Sequence, residues 1–298
     1  MISVPRAVVV TRCTPYEALL QRHATRGQAA FFLSERGQEI EPVEQAHIRQ
    51  MWAVSEVKKA IPDTWRRTHV DREDLDRFLF EPDDVLIAVG QDGLVANMAK
   101  YLEGQPVIGI NPMPDLFDGI LVRHPPGAAE HLMVATAKGN VSVESRTMVQ
   151  AGLDDGQRLL ALNEIFVGHR SHQSARYRLS FGQQEERHSS SGLIVASGTG
   201  ATGWAKSIRR SRREKVQLPK PRDRKLAFLV PEAFPSRATG VDLTSGSVSK
   251  NRPLKIVSEM DEGGVIFGDG IEDDFLDFGW GQEVVLSVAE HVLSLGAA

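Results

Sequence analysis

Three short segments concentrate residues that could hold or activate a phosphorylated ligand. Gly90-Gln91-Asp92-Gly93 follows the apolar run Asp84-Val85-Leu86-Ile87-Ala88-Val89. It precedes Leu94, Val95, Met98, Tyr101 and Leu102, which fall on one helix face. A strand that turns into a helix aims backbone N–H groups and the helix dipole at one small volume, which suits phosphate. Gly90 and Gly93 let the backbone come close. The Asp92 carboxylate could take a hydroxyl proton or hold a magnesium ion. A plain turn with Asp92 capping the helix accounts for the same residues.

The second segment is Asn163-Glu164, inside the apolar run 159–167. Neighbouring side chains of a strand face opposite ways, so one of the pair lies on the buried side unless the strand is at an edge. A buried carboxylate calls for a ligand hydroxyl or a cation; a strand end with Glu164 in solvent is the alternative. The third segment runs from Ser190 to Ser207 and places Gly198, Thr199, Gly200, Thr202 and Gly203 between an apolar strand and a helix. Gly198, Gly200 and Gly203 have the spacing of the dinucleotide fingerprint that opens a βαβ unit, which needs an acid about 20 residues on. Asp223 sits at that distance, but in a basic, proline-flanked loop. A tight strand-to-helix turn is the other reading, and it leaves the small hydroxyl residues unexplained.

The elements around these segments change character along the chain. Residues 7–10, 84–89 and 106–110 read as strands, and residues 16–33, 43–61 and 94–102 as helices, the pattern of a parallel sheet covered by helices. From about residue 119 the texture is β-rich, with strands at 143–149, 159–167, 175–181, 193–197, 225–230, 254–258 and 265–267. Helices are predicted at 128–137 and 202–214. The apolar stretch 281–295 closes the chain.

Composition bounds the function. The 298 residues are 41% hydrophobic and 25% charged with a net charge of −4, as in an ordinary globular protein of two domains. Cys13 is the only cysteine, so neither an intrachain disulfide nor a cysteine–zinc cluster can form. No membrane span is expected, and the N-terminal segment shows no signal-peptide cleavage site, so a cytoplasmic address is the simplest expectation. Arg209, Arg210, Arg212, Arg213, Lys215, Lys220, Arg222, Arg224 and Lys225 form a basic stretch, whereas acids accumulate from Glu259 to Asp277. Two solvated surfaces explain this; a sharper reading gives the basic stretch a phosphate-holding role. No aromatic residues interleave the cations, which argues against nucleic acid.

In order and spacing the three segments resemble the NAD kinase family. Gly90-Gln91-Asp92-Gly93-Leu94 stands where that family has Gly-Gly-Asp-Gly-Thr, and Asn163-Glu164 matches its Asn-Glu pair. Residues 192–204 are similar to its Asp-Gly-Leu-x-x-x-Thr-Pro-Thr-Gly-Ser-Thr-Ala-Tyr segment. Pro106-Val107-Ile108-Gly109-Ile110-Asn111, Asn251-Arg252-Pro253-Leu254 and Asp269-Gly270 extend the likeness across residues 85–286. The resemblance implies an α/β N-terminal domain (1–119), a β-rich, β-sandwich-like C-terminal domain (120–274) and a final segment (275–298) that returns to the first. It implies an active site in the cleft between domains. There ATP or polyphosphate, with Mg2+, would phosphorylate the 2′-hydroxyl of the adenosine ribose of NAD.

By that likeness Asp92 orients or deprotonates the hydroxyl, and Gly93, with Gly90 in the same turn, approaches the donor phosphates. Asn163 and Glu164 hold the ribose and phosphate portion. Thr202, Gly203 and Ser207 line the adenine site, with Thr199 in the same loop. The partners implied are NAD and a phosphoryl donor, without nucleic acid or membrane, in a homo-oligomer (dimer or tetramer); no metal ligand is assigned. Gln91, Leu94, Ser191 and Trp204 depart from the family pattern, standing for glycine, threonine, aspartate and tyrosine. Three other functions therefore stay open: a related kinase acting on a lipid or sugar alcohol, a non-catalytic NAD(P)-binding sensor, and an oxidoreductase built on Gly198.

Overall fold

The computed structural model describes residues 4–297; Met1, Ile2, Ser3 and Ala298, which belong to the terminal segments assigned above, lie outside the described residues. The chain forms two compact units, Met1–Glu144 with Ser294–Ala298, and Ser145–Leu293. The division falls after Glu144, whereas sequence texture places it at 119/120. The reason is the helix at 129–137, whose Ala129, Leu132 and Met133 pack into the core of the first unit.

In the first unit β1 (Arg6–Thr11) leads into α1 (Pro15–His23), α2 (Arg26–Ser34) and α3 (Glu41–Lys59). Then come β2 (Arg66–Asp71), β3 (Asp84–Val89), α4 (Asp92–Ala99), β4 (Pro106–Ile110) and α5 (Ala129–Ala137). The strands run parallel in the order β2-β1-β3-β4. Every residue of β3 is buried, as expected of a parallel strand covered on both faces. Val9, Ile87, Ile108 and Ile110 pack against Ala53, Val54 and Val57 of α3 and against α5. Asp84, buried at the start of β3, is paired by the Arg6 guanidinium through two 2.7 Å hydrogen bonds. The single helix predicted over 16–33 is two helices. Ala24, at φ 61°, ends α1, and the Thr25 hydroxyl caps α2 by accepting from the Gln28 N–H. The connections from β1 to β2 and from β3 to β4 lead to opposite edges of the sheet. The carboxyl ends of β1 and β3 therefore flank its switch point, where open α/β sheets bind ligands.

The second unit is built from β5 (Ser142–Leu153), β6 (Arg158–Ala161), β7 (Glu164–His169), β8 (Ala175–Phe181), β9 (Gln184–Ser190) and β10 (Leu193–Ala196). After α6 (Trp204–Arg212) come β11 (Lys225–Leu229), β12 (Ser245–Ser249), β13 (Leu254–Ser258), β14 (Gly264–Gly268), β15 (Phe275–Asp277) and β16 (Glu283–Ala297). One antiparallel sheet has the order β12-β11-β10-β7-β14-β15. In the other, β9, β8, β13 and β16 are antiparallel neighbours, and β5 pairs with β16 and β6. Their inner faces share one core in which Val167, Val195 and Phe228 of the first sheet meet Tyr177, Ile256 and Leu286 of the second, a β-sandwich. At the far end of β16, Ser294 and Leu295 pair in parallel with Pro106 and Val107 of the first unit.

Candidate functional site

Gly90-Gln91-Asp92-Gly93 is the turn from β3 into α4. The Gly90 N–H donates to the Ile110 carbonyl (3.1 Å), and Gln91, not Asp92, is the residue before the helix. Asp92 opens the helix with its carboxylate turned to the loop 120–122. Oδ1 accepts from the Leu121 and Val122 N–H groups (2.8 and 3.0 Å), and Oδ2 accepts from Ile120 N–H (3.0 Å). Three of its roughly four acceptor positions are taken, leaving one for a ligand. Leu94, where the resemblance expects a threonine, is fully buried and serves the core. Beside the turn lies a cavity of about 380 Å³ at the switch point, lined by Gly90, Gln91, Arg12, Thr14, His47, Gln50 and apolar groups including Pro15, Met113 and Phe117. The Gln50 amide donates to the Val89 carbonyl (2.8 Å), and the Thr14 hydroxyl lies 2.9 Å from His47 Nδ1. Sequence reading gives Arg12, Thr14 and His47 no role; they approach the glycine turn only once the helices fold.

In the second unit the strand predicted over 159–167 is broken. β6 ends at Ala161 and β7 begins at Glu164, because the Asp269 carboxylate accepts the N–H groups of Leu162 and Asn163 (2.9 and 2.6 Å). Asn163 and Glu164 thus stand at a strand start, both half-buried, and not in mid-strand. The Asn163 carbonyl accepts from Ser197 N–H (2.8 Å), and the Ser197 hydroxyl donates to Leu162 O (2.5 Å), fastening the break to the end of β10. Gly200 then crosses over Asn163-Glu164. A side chain there would meet the Asn163 carbonyl and come within 2.8 Å of Glu164 Oε2, so close approach is what this glycine provides.

The helix predicted from 202 starts at Trp204, after a short 3-10 turn at Gly200–Thr202. Thr202, Gly203 and Ser207 are exposed around that start, and the Thr199 hydroxyl is buried without a hydrogen-bond partner. Lys206, Arg209 and Arg210 are exposed on α6, while Ala205 and Ile208 face its core. The structure thus brings Asn163, Glu164, Thr199 and Gly200 together at one end of the sheet, with Thr202 and Gly203 in the adjoining turn. Ser207 sits one turn into α6, and Gly90, Asp92 and Gly93 belong to the other unit. β10 pairs antiparallel on both sides, so Gly198, Gly200 and Gly203 do not open a βαβ unit. Asp223 accepts the Lys220 N–H (2.9 Å) in a local turn. These two facts remove the ground for the oxidoreductase reading.

Glu164 faces a cavity of about 470 Å³ within the second unit, lined also by Phe166, His169, Arg170, Trp204, Val265, Phe267, Gly270, Glu272, Asp273 and Phe275. Burial, and then the neighbouring Asp269 charge, push the Glu164 carboxyl up to about 7. Sequence reading does not gather the remaining wall residues as a set, because they lie on β7, α6, β14, β15 and the turns beside them. Among the described residues no group of three or more His, Cys, Asp or Glu is placed to hold a metal ion. Among the described residues no helix is long and apolar enough to cross a membrane.

No family model matches the chain. An NAD kinase of Chlorobaculum tepidum is 30% identical over 129 residues, covering 42% of this chain and 44% of that relative, so the match spans less than half of the relative's length. The crystal structure of an NAD kinase from Archaeoglobus fulgidus in complex with ATP superposes with a TM-score of 0.57 at 21% identity, covering 98% of this chain and 93% of that one. The second likeness shows a shared two-unit fold.

Proposed function

We propose that this chain, which resembles the NAD kinase family in sequence and shares its fold, is a phosphotransferase that converts NAD to NADP by phosphorylating the 2′-hydroxyl. The observation that carries the reading is the constellation of Asn163, Glu164, Thr199 and Gly200, locked together by Asp269 and Ser197 beside a cavity wide enough for a ring system. Asn163 and Glu164 hold the ribose and phosphate portion, and Thr199, Thr202, Gly203 and Ser207 surround the base. Gly90 and Gly93 at the α4 N-terminus are assigned to the donor's phosphates, and Asp92, with one acceptor position left by the loop 120–122, is assigned the hydroxyl's proton. Such a site works by positioning and by neutralising charge, without a covalent intermediate. Magnesium would supply charge neutralisation on the donor. Polyphosphate stands beside ATP as a candidate donor.

A second reading, a dinucleotide-binding sensor that transfers nothing, is favoured by one observation: Asp92 already serves three backbone N–H groups. Incubation with magnesium, NAD and either ATP or polyphosphate separates the two. NADP from one donor supports the kinase; tight NAD binding without product from either supports the sensor. Phosphorylation of a lipid or sugar alcohol in place of NAD would replace both.

A further inference from the structure

The switch-point cavity of the first unit, about 380 Å³, has the size of a small-molecule site. Its walls divide by chemistry. Pro15 of α1, Val43 and Ala46 of α3, and Met113, Leu116 and Phe117 of the loop after β4 make most of the lining apolar. Leu116 and Phe117 are 63% and 48% exposed, large side chains left in water at the cavity. Among the described residues no aspartate or glutamate lines it. Several of its polar groups are already committed. The Gln50 amide donates to the Val89 carbonyl (2.8 Å). The Thr14 hydroxyl donates to Glu17 Oε2 (2.9 Å), so toward His47 Nδ1, also 2.9 Å away, it acts as the acceptor. Nδ1 therefore carries a proton, and Nε2 is the ring's open nitrogen. Arg12 is different. It is half-buried, and among the described residues it is in no ion pair or side-chain hydrogen bond, although its other side borders a cavity at the ends of β1 and β2 where Asp71 and Glu73 lie. A lone guanidinium set among apolar walls lacks a partner that brings one negative charge and an apolar body together.

We propose that this cavity binds a monocarboxylate with an apolar body, its carboxylate held by Arg12 and its body against Val43, Ala46, Met113 and Phe117. A chain of phosphates suits the lining poorly, since several negative charges would meet one guanidinium and the apolar walls would stay empty. An uncharged nucleotide base would use the walls and leave Arg12 unpaired. The carboxylate uses both, with the planar fork of the guanidinium taking its two oxygens. On the phosphotransferase reading, which the binding itself does not need, the ligand is an effector. Gly90 and Gln91 belong both to this cavity and to the turn assigned to the donor's phosphates, so an occupied cavity opposes the donor.

Calorimetric titration of the full chain with butanoate, hexanoate and octanoate tests this, with 1-octanol and adenosine as uncharged probes. Affinity should rise about 4-fold per added methylene, the worth of one buried CH₂. Octanoate should bind about 10- to 100-fold more tightly than 1-octanol, the scale of a charge-assisted hydrogen bond. Arg12→Gln should remove that preference, and Ala46→Phe, which fills the cavity, should abolish octanoate binding. No binding of octanoate, or equal binding to wild type and both variants, would overturn the proposal. Adenosine bound more tightly than octanoate would also overturn it and make the cavity a base pocket. If Ala46→Phe does not fold, Arg12→Gln decides alone, because it removes no ion pair or side-chain hydrogen bond of the fold. The kinase reading fails separately, by absence of NADP with both donors, and these titrations stand without it.

Discussion

Glu164 shows how one half-buried carboxyl ties stability to pH. Its folded-state pKa of about 7 lies above the ordinary 4.5, so the unfolded chain ionises first as pH rises. The stability associated with this group is fully present below pH 4.5 and is lost as pH climbs through 7, by about 3 kcal/mol. Urea unfolding of wild type and Glu164→Gln between pH 4.5 and 8 should show that loss in the wild type only. A wild type that parallels the variant at every pH would mean that the carboxyl ionises freely. Asp92 poses a different question, since it serves both the loop 120–122 and the proposed hydroxyl. Asp92→Asn turns an amide toward an N–H donor, which should cost about 1–3 kcal/mol of stability. It should also lower turnover about 10²–10⁴-fold, the usual contribution of a positioned base, with NAD affinity changed far less. Unchanged turnover would move the base elsewhere.

At the scale of elements, the site depends on a strand break and on the loop laid over it. Asp269→Ala should release the Leu162 and Asn163 N–H groups and destabilise the protein by about 1–3 kcal/mol, measured by thermal or urea unfolding. Gly200→Ala should drive the loop off Asn163 and Glu164, weakening NAD binding with a stability loss of about 1–3 kcal/mol. Normal NAD affinity in that variant would show that the crossing of Gly200 is not needed for binding. These devices also explain how far the sequence could be read. β3 and β4 are legible because an apolar run bounded by glycine or proline has few alternatives. The break between β6 and β7 is hidden because the group that causes it, Asp269, is 106 residues from Asn163. β2 (RRTHVD) and β9 (QEERHSS) carry too little apolar pattern to announce strands, since much of each is exposed. Asn163, Glu164 and the 199–203 turn are legible as chemistry by residue type and by family likeness. Phe166, Phe267, Phe275 and Arg170 are not, because only sheet pairing gathers them around Glu164.

At the scale of the whole chain, an α/β unit with a cavity at its switch point and a β-sandwich with a largely aromatic cavity occur in one polypeptide. The two-unit fold is shared with the NAD kinase from Archaeoglobus fulgidus, and the choice between the proposed phosphotransferase and a sensor is one of chemistry. Transfer of labelled phosphate decides between them most directly. The chain is incubated with magnesium, NAD and ATP carrying a labelled γ-phosphate, and in parallel with labelled polyphosphate; the products are separated and tested with an NADP-specific dehydrogenase. The account predicts label in a dinucleotide that this dehydrogenase reduces, with at least one of the donors. Label confined to the donor and inorganic phosphate, while NAD binding to the same preparation is demonstrable, would contradict it.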